Sequence, residues 1–388
     1  MVVRFLAESE LAAVAAAWAR DYRVLAPVRE GSAVVYRVFS EDMHPFLGRM
    51  PTSSAKEALL PQTENLFTYT YRKDANDLTR TEVFISEALP PEPTLILGPR
   101  PCDARGRHLL DRVFLERGVI DPQYAAHCAA TLFVSVACTS LQNTCFCHWT
   151  GGGLDDETGS DVLLHPVTGG FVAKAVTPAG EKLLEALPEA SASVLEELAA
   201  RRAKTPEPEP APDLSGIAEA FLAVFDDLDF WTDQSARCLS CGVCTYLCPT
   251  CSCFNITDEN QGMSGRRLRT WDTCMSALYT LEGSGHNPRV SRAHRLRNRV
   301  GHKFCYHPRE FPEAATSPPP SPPPSPPPSP SGLEFSCTGC GRCIKSCPVA
   351  VDIRQIVLDV LAKAAEKAAE HAADHAADHA ADKAEAKE

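Results

Sequence analysis

The twelve residues from Cys337 to Pro348 read CTGCGRCIKSCP, four cysteines spaced by two, two and three residues and closed by a proline. The same spacing stands at Cys238 to Pro249, CLSCGVCTYLCP, and in each copy a glycine, Gly242 or Gly341, follows the second cysteine. Three cysteines in this phase can wrap one corner of an iron–sulfur cube, because the backbone between them curls around the cluster and points amides at its sulfurs. The fourth thiolate must come from elsewhere. In the bacterial ferredoxin run the cysteine before the proline ligates the other cluster, so two copies complete each other. One [4Fe–4S] cluster is therefore expected on Cys238, Cys241, Cys244 and Cys347, and a second on Cys337, Cys340, Cys343 and Cys248. Gly242 and Gly341 would let the backbone approach the clusters closely. The alternative, zinc, normally uses two separated cysteine pairs with no third cysteine in phase. The long stretch between the runs does not prevent their pairing, since loop-closure entropy grows only logarithmically with length.

Four more cysteines lie in the N-terminal half: Cys102 in LGPRPCDARG, and Cys138, Cys145 and Cys147 in VACTSLQNTCFCHWTGGG. They follow two expected strands and can converge on a third cluster, with Gly151 to Gly153 allowing a tight turn beside it. The plainer reading is that they are small buried hydrophobes, and Cys128 is assigned to that class. Cys251, Cys253 and Cys274 are read as packing near a cluster, the eight ligands of the two clusters being already supplied. Gly151 to Gly153 form neither GxGxxG nor GxxxxGK[ST]. With no nucleotide fingerprint in the chain, a flavin or nicotinamide is better placed on a partner.

From Arg266 to Lys303 the chain is strongly cationic (GRRLR, HNPRVSRAHRLRNRVGHKF). Positive charge near an anionic cluster stabilises its reduced form and raises its potential, and such a stretch can equally dock an acidic partner. His286, His294 and His302 are read as structural. His371, His375 and His379 recur every four residues, a spacing that can capture a metal, though a solvated charged face is the simpler reading.

The elements that must position these residues are coarse but legible. A chain of 388 residues, 44% hydrophobic and 23% charged, is long enough for two or three domains. Its net charge of −12 argues against nucleic acid as a main partner. Seventeen cysteines, an odd number with eight in two tight clusters, do not suit a closed disulfide framework. No run reaches the roughly 18 apolar residues of a membrane helix, and Glu8 and Glu10 speak against a signal peptide. A soluble, reduced, cytoplasmic protein is expected.

Residues 1–203 should form an α/β or α+β domain, with a helix near Leu6 to Asp21 and strands at Ala33 to Phe39, TLILG and TLFVSVA. An acidic proline-rich linker (204–214) should lead to a mainly helical domain (215–316) that carries the first motif, so that the two motifs make a split two-cluster ferredoxin-like fold. Ten prolines between Ser317 and Pro330 should make residues 317–332 a semi-rigid spacer of roughly 40 Å in polyproline II form. The second motif (333–355) and an alanine-rich charged helical tail (356–388) complete the chain, the tail having little to bury.

The motifs GPRPCDARG, TCFC, CPTCSCFNITDE, GRRLRTWDTCM, HNPR, HKF and CTGCGRCIKSCP, in that order, resemble the iron–sulfur beta subunits of cytoplasmic hydrogenase/sulfur reductase complexes and the A subunit of anaerobic sulfite reductase. The resemblance covers roughly residues 1–355, and the proline-rich insert and alanine-rich tail are departures from it. It implies a subunit of a hetero-oligomer that relays electrons between a flavin-containing reductase subunit and a catalytic redox subunit, with no catalytic residues of its own. Two other readings stand beside it. The N-terminal cysteine set can act directly on a sulfur compound, or the clusters can be structural parts of an interaction protein whose spacer recruits polyproline II readers.

Overall fold

The structure, a computed structural model, describes residues 2–87, 91–116, 118–311 and 334–385; the expected proline-rich spacer (317–332) lies outside the described residues. The chain opens with strand β1 (Val3–Ala7) and helix α1 (Leu11–Trp18). The helix expected from Leu6 is thus shorter, because Leu6 is fully buried in a strand that pairs with Gly170–Ala175. Strands β2 (Arg23–Glu30), β3 (Ala33–Val38), β4 (Thr63–Lys73), β5 (Thr81–Glu87) and β6 (Thr94–Leu97) follow. Next come helices α2 (Pro101–Phe114) and α3 (Pro122–Ala130), strands β7 (Thr131–Val136), β8 (Val162–Val167) and β9 (Gly170–Ala175), and helices α4 (Pro178–Leu183) and α5 (Ala192–Lys204).

Seven strands form one sheet in the order β1-β9-β8-β7-β6-β2-β3. Its centre, β8-β7-β6-β2, is parallel. Parallel strands are covered on both faces and so read as continuous apolar runs, as TLIL and TLFVSV do. Side chains alternate between faces: Leu95, Leu97, Val134 and Val136 join the core that holds α1 residues Leu11 and Trp18, while Ile96 and Phe133 join the core of α2 and α3 with Leu110, Phe114 and Tyr124.

The second half contains α6 (Ile217–Ala223), α7 (Leu228–Ser235) and the short α8 (Val243–Tyr246), then β10 (Phe254–Gln261) and β11 (Ser264–Trp271). Helix α9 (Arg292–Gly301) runs through a π-helical turn (His302–Tyr306) into α10 (His307–Glu310). After the undescribed segment come α11 (Arg342–Lys345) and the long α12 (Ile353–Glu385). The mainly helical expectation for this half does not hold throughout. Residues Phe254–Trp271 form a hairpin that turns at Gly262 (φ +65°) and pairs with β4, giving a second sheet in the order β10-β11-β4-β5. Arg269 of β11 fastens this sheet by donating to Glu64 (2.9 Å) and Asp121 (2.6 Å).

The helices enclose a third core of Ile217, Phe221, Trp231, Leu296, Val300 and Phe335. Ile353, Ile356, Val357 and Val360 of α12 enter it. The large apolar side chains of α12 are thus spent in its first turns, and further along Lys367 pairs with Asp227 (2.9 Å).

Candidate metal centres

The two cysteine runs adopt the same backbone. Gly242 (φ +77°, ψ −5°) and Gly341 (φ +75°, ψ −4°) each stand in the left-handed region just before a four-residue helix, α8 or α11. Two residues earlier Ser240 (φ +57°) and Gly339 (φ +60°) are left-handed as well. This curl turns amides inward: Ser240 N–H donates to Cys238 Sγ (3.4 Å) and Gly339 N–H to Cys337 Sγ (3.5 Å). Val351 N–H likewise points at Cys347 Sγ (3.2 Å). Amides aimed at sulfur favour thiolate and help tune an iron–sulfur centre.

The runs cross. Cys238, Cys241 and Cys244 line a cavity of about 540 Å³, open solvent at its mouth included, and Cys347 of the other run lines the same cavity, with Cys343 on its wall as well. Cys248 faces the second run instead. Burial, and then the neighbouring sulfur of Cys248, push the Cys337 thiol up to about 12. Burial raises Cys340 and Cys343 too, with Cys248 again among the neighbours that add to it. Among the described residues no three His, Cys, Asp or Glu side chains converge on a single ion. A cube held by one thiolate per iron asks for sulfurs that stand apart around a cavity.

Buried cations lie among these sulfurs. Arg299 Nη1 is 3.4 Å from Cys251 Sγ, Lys303 Nζ donates to Thr250 Oγ1 (2.7 Å), and Lys56 Nζ donates to the carbonyls of Thr245 (3.1 Å) and Cys251 (3.0 Å). Thr250 Oγ1 in turn meets Cys248 Sγ at 3.3 Å. A hydrogen bond with the Cys251 thiol, helped by Lys303 and Arg299, holds Cys248 well below the ordinary thiol range. The thiols and three buried cations, whose hydrogen-bond partners here are carbonyls, a hydroxyl and a thiol, form a composition that suits an anionic iron–sulfur cluster. The residues present fit that group. The sequence placed the basic segment near the clusters in general terms but did not single out Arg299 or Lys303, and Lys56 carried no signal, being far away in sequence.

The N-terminal cysteines also come together. Cys102 sits in the first turn of α2 beyond the C-terminal end of β6, and Cys138 lies just past the C-terminal end of neighbouring β7. Crevices outside the carboxyl ends of parallel strands are where open α/β sheets place ligands. Burial, followed by Cys138 and Cys145, pushes Cys147 up to about 12. Burial raises Cys102 and Cys138, with Cys340 and Cys138 acting on the first and Cys145 on the second. Cys138 thus links the set, acting on Cys102 on one side and standing near Cys145 and Cys147 on the other, while Cys340 of the second run also acts on Cys102.

The contact between this set and the second run is close. A Cβ on Gly339 would come within 2.4 Å of the Phe146 carbonyl and the Cys147 nitrogen, and one on Gly341 within 2.4 Å of the Thr144 carbonyl. Phe146 N–H donates to Gly339 O (2.8 Å). Arg342 locks the junction: its guanidinium forks onto both oxygens of Asp103 (2.8 and 2.8 Å) and donates to Pro51 O (3.1 Å), with both side chains almost wholly buried. Beyond Cys138 and Cys147 a wide cavity opens, lined also by His148, His165, Gly152, Gly153 and Arg202.

Other cysteines pack as structure. Cys128 donates to Asp111 (3.5 Å) in the α2–α3 core, and Cys305 to Ala218 O (3.5 Å). Cys253 is held down to about 6, chiefly by its hydrogen bond with Cys274. His286 is exposed, while His294 lies beside the cap of α9, its Nδ1 2.6 Å from Ser291 Oγ. The His371 and His375 rings lie 4.6 Å apart on α12. No helix among the described residues is long and apolar enough to cross a membrane.

Residues 237–316 match the family model of a 4Fe-4S dicluster domain, a match that takes in the first run and stops at the proline-rich segment. Over 271 residues the chain is 27% identical to sulfhydrogenase 2 subunit beta of Pyrococcus furiosus, covering 69% of this chain and 73% of that one. No solved structure matches. The chain carries a 4Fe-4S dicluster domain and is similar over most of its length to the iron–sulfur beta subunits of hydrogenase/sulfur reductases.

Proposed function

We propose that this chain is an electron-relay subunit whose clusters form a wire through the protein. One cluster sits on Cys238, Cys241, Cys244 and Cys347, the second on Cys337, Cys340, Cys343 and Cys248, and a third on Cys102, Cys138, Cys145 and Cys147. The observation that carries this reading is the crossing of the runs, with Cys347 in the first run's cavity and Cys248 beside the second run's thiols. Low-potential one-electron carriers set in series suit a relay. The wire would link a flavin-containing reductase subunit to a catalytic redox subunit of the hydrogenase, sulfur reductase or sulfite reductase type, in a hetero-oligomer of the reducing cytoplasm. The beta-subunit name of the relative supports an assembly of that kind.

Iron and acid-labile sulfide per chain, on protein purified without oxygen and followed by electron paramagnetic resonance on reduction, test the count. About twelve irons are expected for three cubes. About eight would return Cys102, Cys138, Cys145 and Cys147 to packing, and zinc without iron would sink the relay. Cys347→Ala should remove the signal of the first cluster and Cys248→Ala that of the second, whereas ligation within each run would reverse that assignment.

The cavity beyond Cys138 and Cys147 favours a second reading, in which the N-terminal set acts directly on a sulfur compound there. Turnover of sulfite or polysulfide by the isolated chain with an artificial electron donor would establish it, and its absence would leave the relay alone.

A further inference from the structure

Of the seventeen cysteines, Cys241 is the exposed one. It lies on the wall of the cavity shared with Cys238, Cys244 and Cys347, so a cluster held there comes to the surface at this edge. The second set has no exposed member, Cys248 and Cys340 being buried and Cys337 and Cys343 half-buried.

The surface around Cys241 has a definite character. Leu239 and Val290 are 61% and 66% exposed, large values for apolar side chains. Arg237 and Arg292 are exposed and Arg289 is half-buried. These groups are fastened together rather than scattered. Arg292 Nη1 donates to Cys238 O (2.7 Å), and buried Arg295 ties the carbonyls of Arg289 (3.1 Å) and Val290 (3.2 Å) to Ser240 Oγ (3.4 Å). A positive, apolar-centred patch thus surrounds the cluster edge, in a chain whose net charge is −12. Charge of one sign around a small apolar centre steers a partner of the opposite sign and sets its orientation, with contact areas at the low end for transient electron-transfer pairs.

We propose that this patch is the docking face for an acidic one-electron carrier protein, and that electrons enter or leave the chain at the Cys241 edge of the first cluster. The inference rests on the relay reading. When electrons enter, the carrier's centre is oxidised by one electron and the first cluster is reduced by one; no proton or group is transferred. The far end of the wire then lies at the cavity beyond Cys138 and Cys147.

The test uses the full iron-loaded chain and a small acidic ferredoxin, reduced beforehand, as the probe. Its oxidation by the chain is followed by stopped flow over a range of salt concentrations. Arg237→Glu and Leu239→Asp should each slow electron transfer about tenfold at low salt, and the Arg237→Glu effect should fade as salt rises. Lys182→Glu, an exposed charge reversal on α4, controls for net charge and should leave the rate unchanged. Reduction of the clusters by dithionite should be the same in all four proteins. Unchanged rates in both patch variants, or an equal loss with Lys182→Glu, would overturn the docking face while leaving the relay intact. Loss of a wild-type self-association in the patch variants would reassign the face to a second copy and overturn it too. Clusters that dithionite cannot reduce would instead bring down the relay reading itself.

Discussion

The Arg342–Asp103 pair joins the second cysteine run to α2, and removing one member is the sharpest test of how the centres are held together. Asp103 is wholly buried, the Arg342 side chain is 2% exposed, and the two make two parallel bonds of 2.8 Å. Asp103 also accepts from Arg100 N–H (3.1 Å) at the start of α2. In Asp103→Asn the shape and that helix-start bond survive and the amide oxygen still accepts from Arg342 Nη2, but the countercharge is gone and the amide NH2 now faces Nη1 as donor against donor. Stranding one charge of a buried pair costs about 3–5 kcal/mol, whereas replacing both by apolar groups is often close to neutral. The nearby sulfur of Cys340 partly compensates the stranded arginine, so about 3 kcal/mol is expected for Asp103→Asn. Arg342→Met should cost a similar amount, and the Asp103→Leu/Arg342→Met double variant clearly less than the two single costs added. The assay is anaerobic chemical denaturation, with tryptophan fluorescence and visible cluster absorbance recorded together. Single costs below about 1 kcal/mol, or a double cost equal to the sum, would refute the pair as a lock.

The junction geometry makes an asymmetric pair of substitutions informative. Gly339→Ser should undock the second run from residues 144–147, because its Cβ has no room there, and should cost the iron of the N-terminal set first. Ser240→Gly, at the matching position of the other run, should leave the iron content unchanged; metal analysis of both variants decides. Arg299→Met removes a buried positive charge beside Cys244, Cys251 and Cys343. At a separation of ~7 Å and an effective dielectric of about 20, that charge is worth roughly 2 kcal/mol, so both ferredoxin-type clusters should drop by up to roughly 100 mV; a redox titration showing no fall would refute this. Glu334 is a hub for His108 (3.2 Å), His307 (3.3 Å) and Arg112 (3.1 Å). Burial opposes its charge, yet these partners hold its carboxyl well below the usual range. Its folded value being depressed, its contribution is full above the ordinary glutamate value of about 4.3 and is lost as pH falls through that value toward the folded one. The stability gap between wild type and Glu334→Gln should therefore shrink as pH falls below about 5; a gap that keeps widening there would refute the assignment.

Some of this was legible in the sequence and some was not, for physical reasons. The cysteine phase, the glycines after the second cysteines and the apolar runs TLIL and TLFVSV all act locally, and local constraints survive in linear order. The helix expected from Leu6 overran the last two residues of the strand Val3–Ala7, because five residues of mixed polarity do not distinguish periods and the partner Gly170–Ala175 is far along the chain. The hairpin Phe254–Trp271 was missed for a related reason. Its β10 residues are exposed on both faces, so the inside–outside alternation that marks a strand is absent. Asp103 stood beside Cys102 in the sequence, and Arg342 stood inside a cysteine run, but nothing in linear order could show that they meet.

The buried cations bind the folding of this half to its iron. Lys56, Arg299 and Lys303 are buried, and their hydrogen-bond partners are carbonyls, a hydroxyl and a thiol. Without iron most surrounding thiols would be neutral at pH 7, since burial first, and neighbouring sulfurs second, hold groups such as Cys337 near 12. Cys248 and Cys253, both held low, would be two exceptions set against three cations. Each unpaired buried charge costs several kcal/mol, which is of the order of a whole domain's stability. Burial already pushes Lys56 toward its neutral form, as that cost requires. The seven-stranded sheet has no such debt, because its two cores are apolar. Iron removal should therefore raise amide hydrogen exchange across α9, α10 and residues 334–347 while β6, β7 and β8 stay protected. Equal protection with and without iron would show that the cations are satisfied by the protein alone. Uniform loss across the chain would show instead that the sheet depends on the clusters, contrary to the independence of its cores.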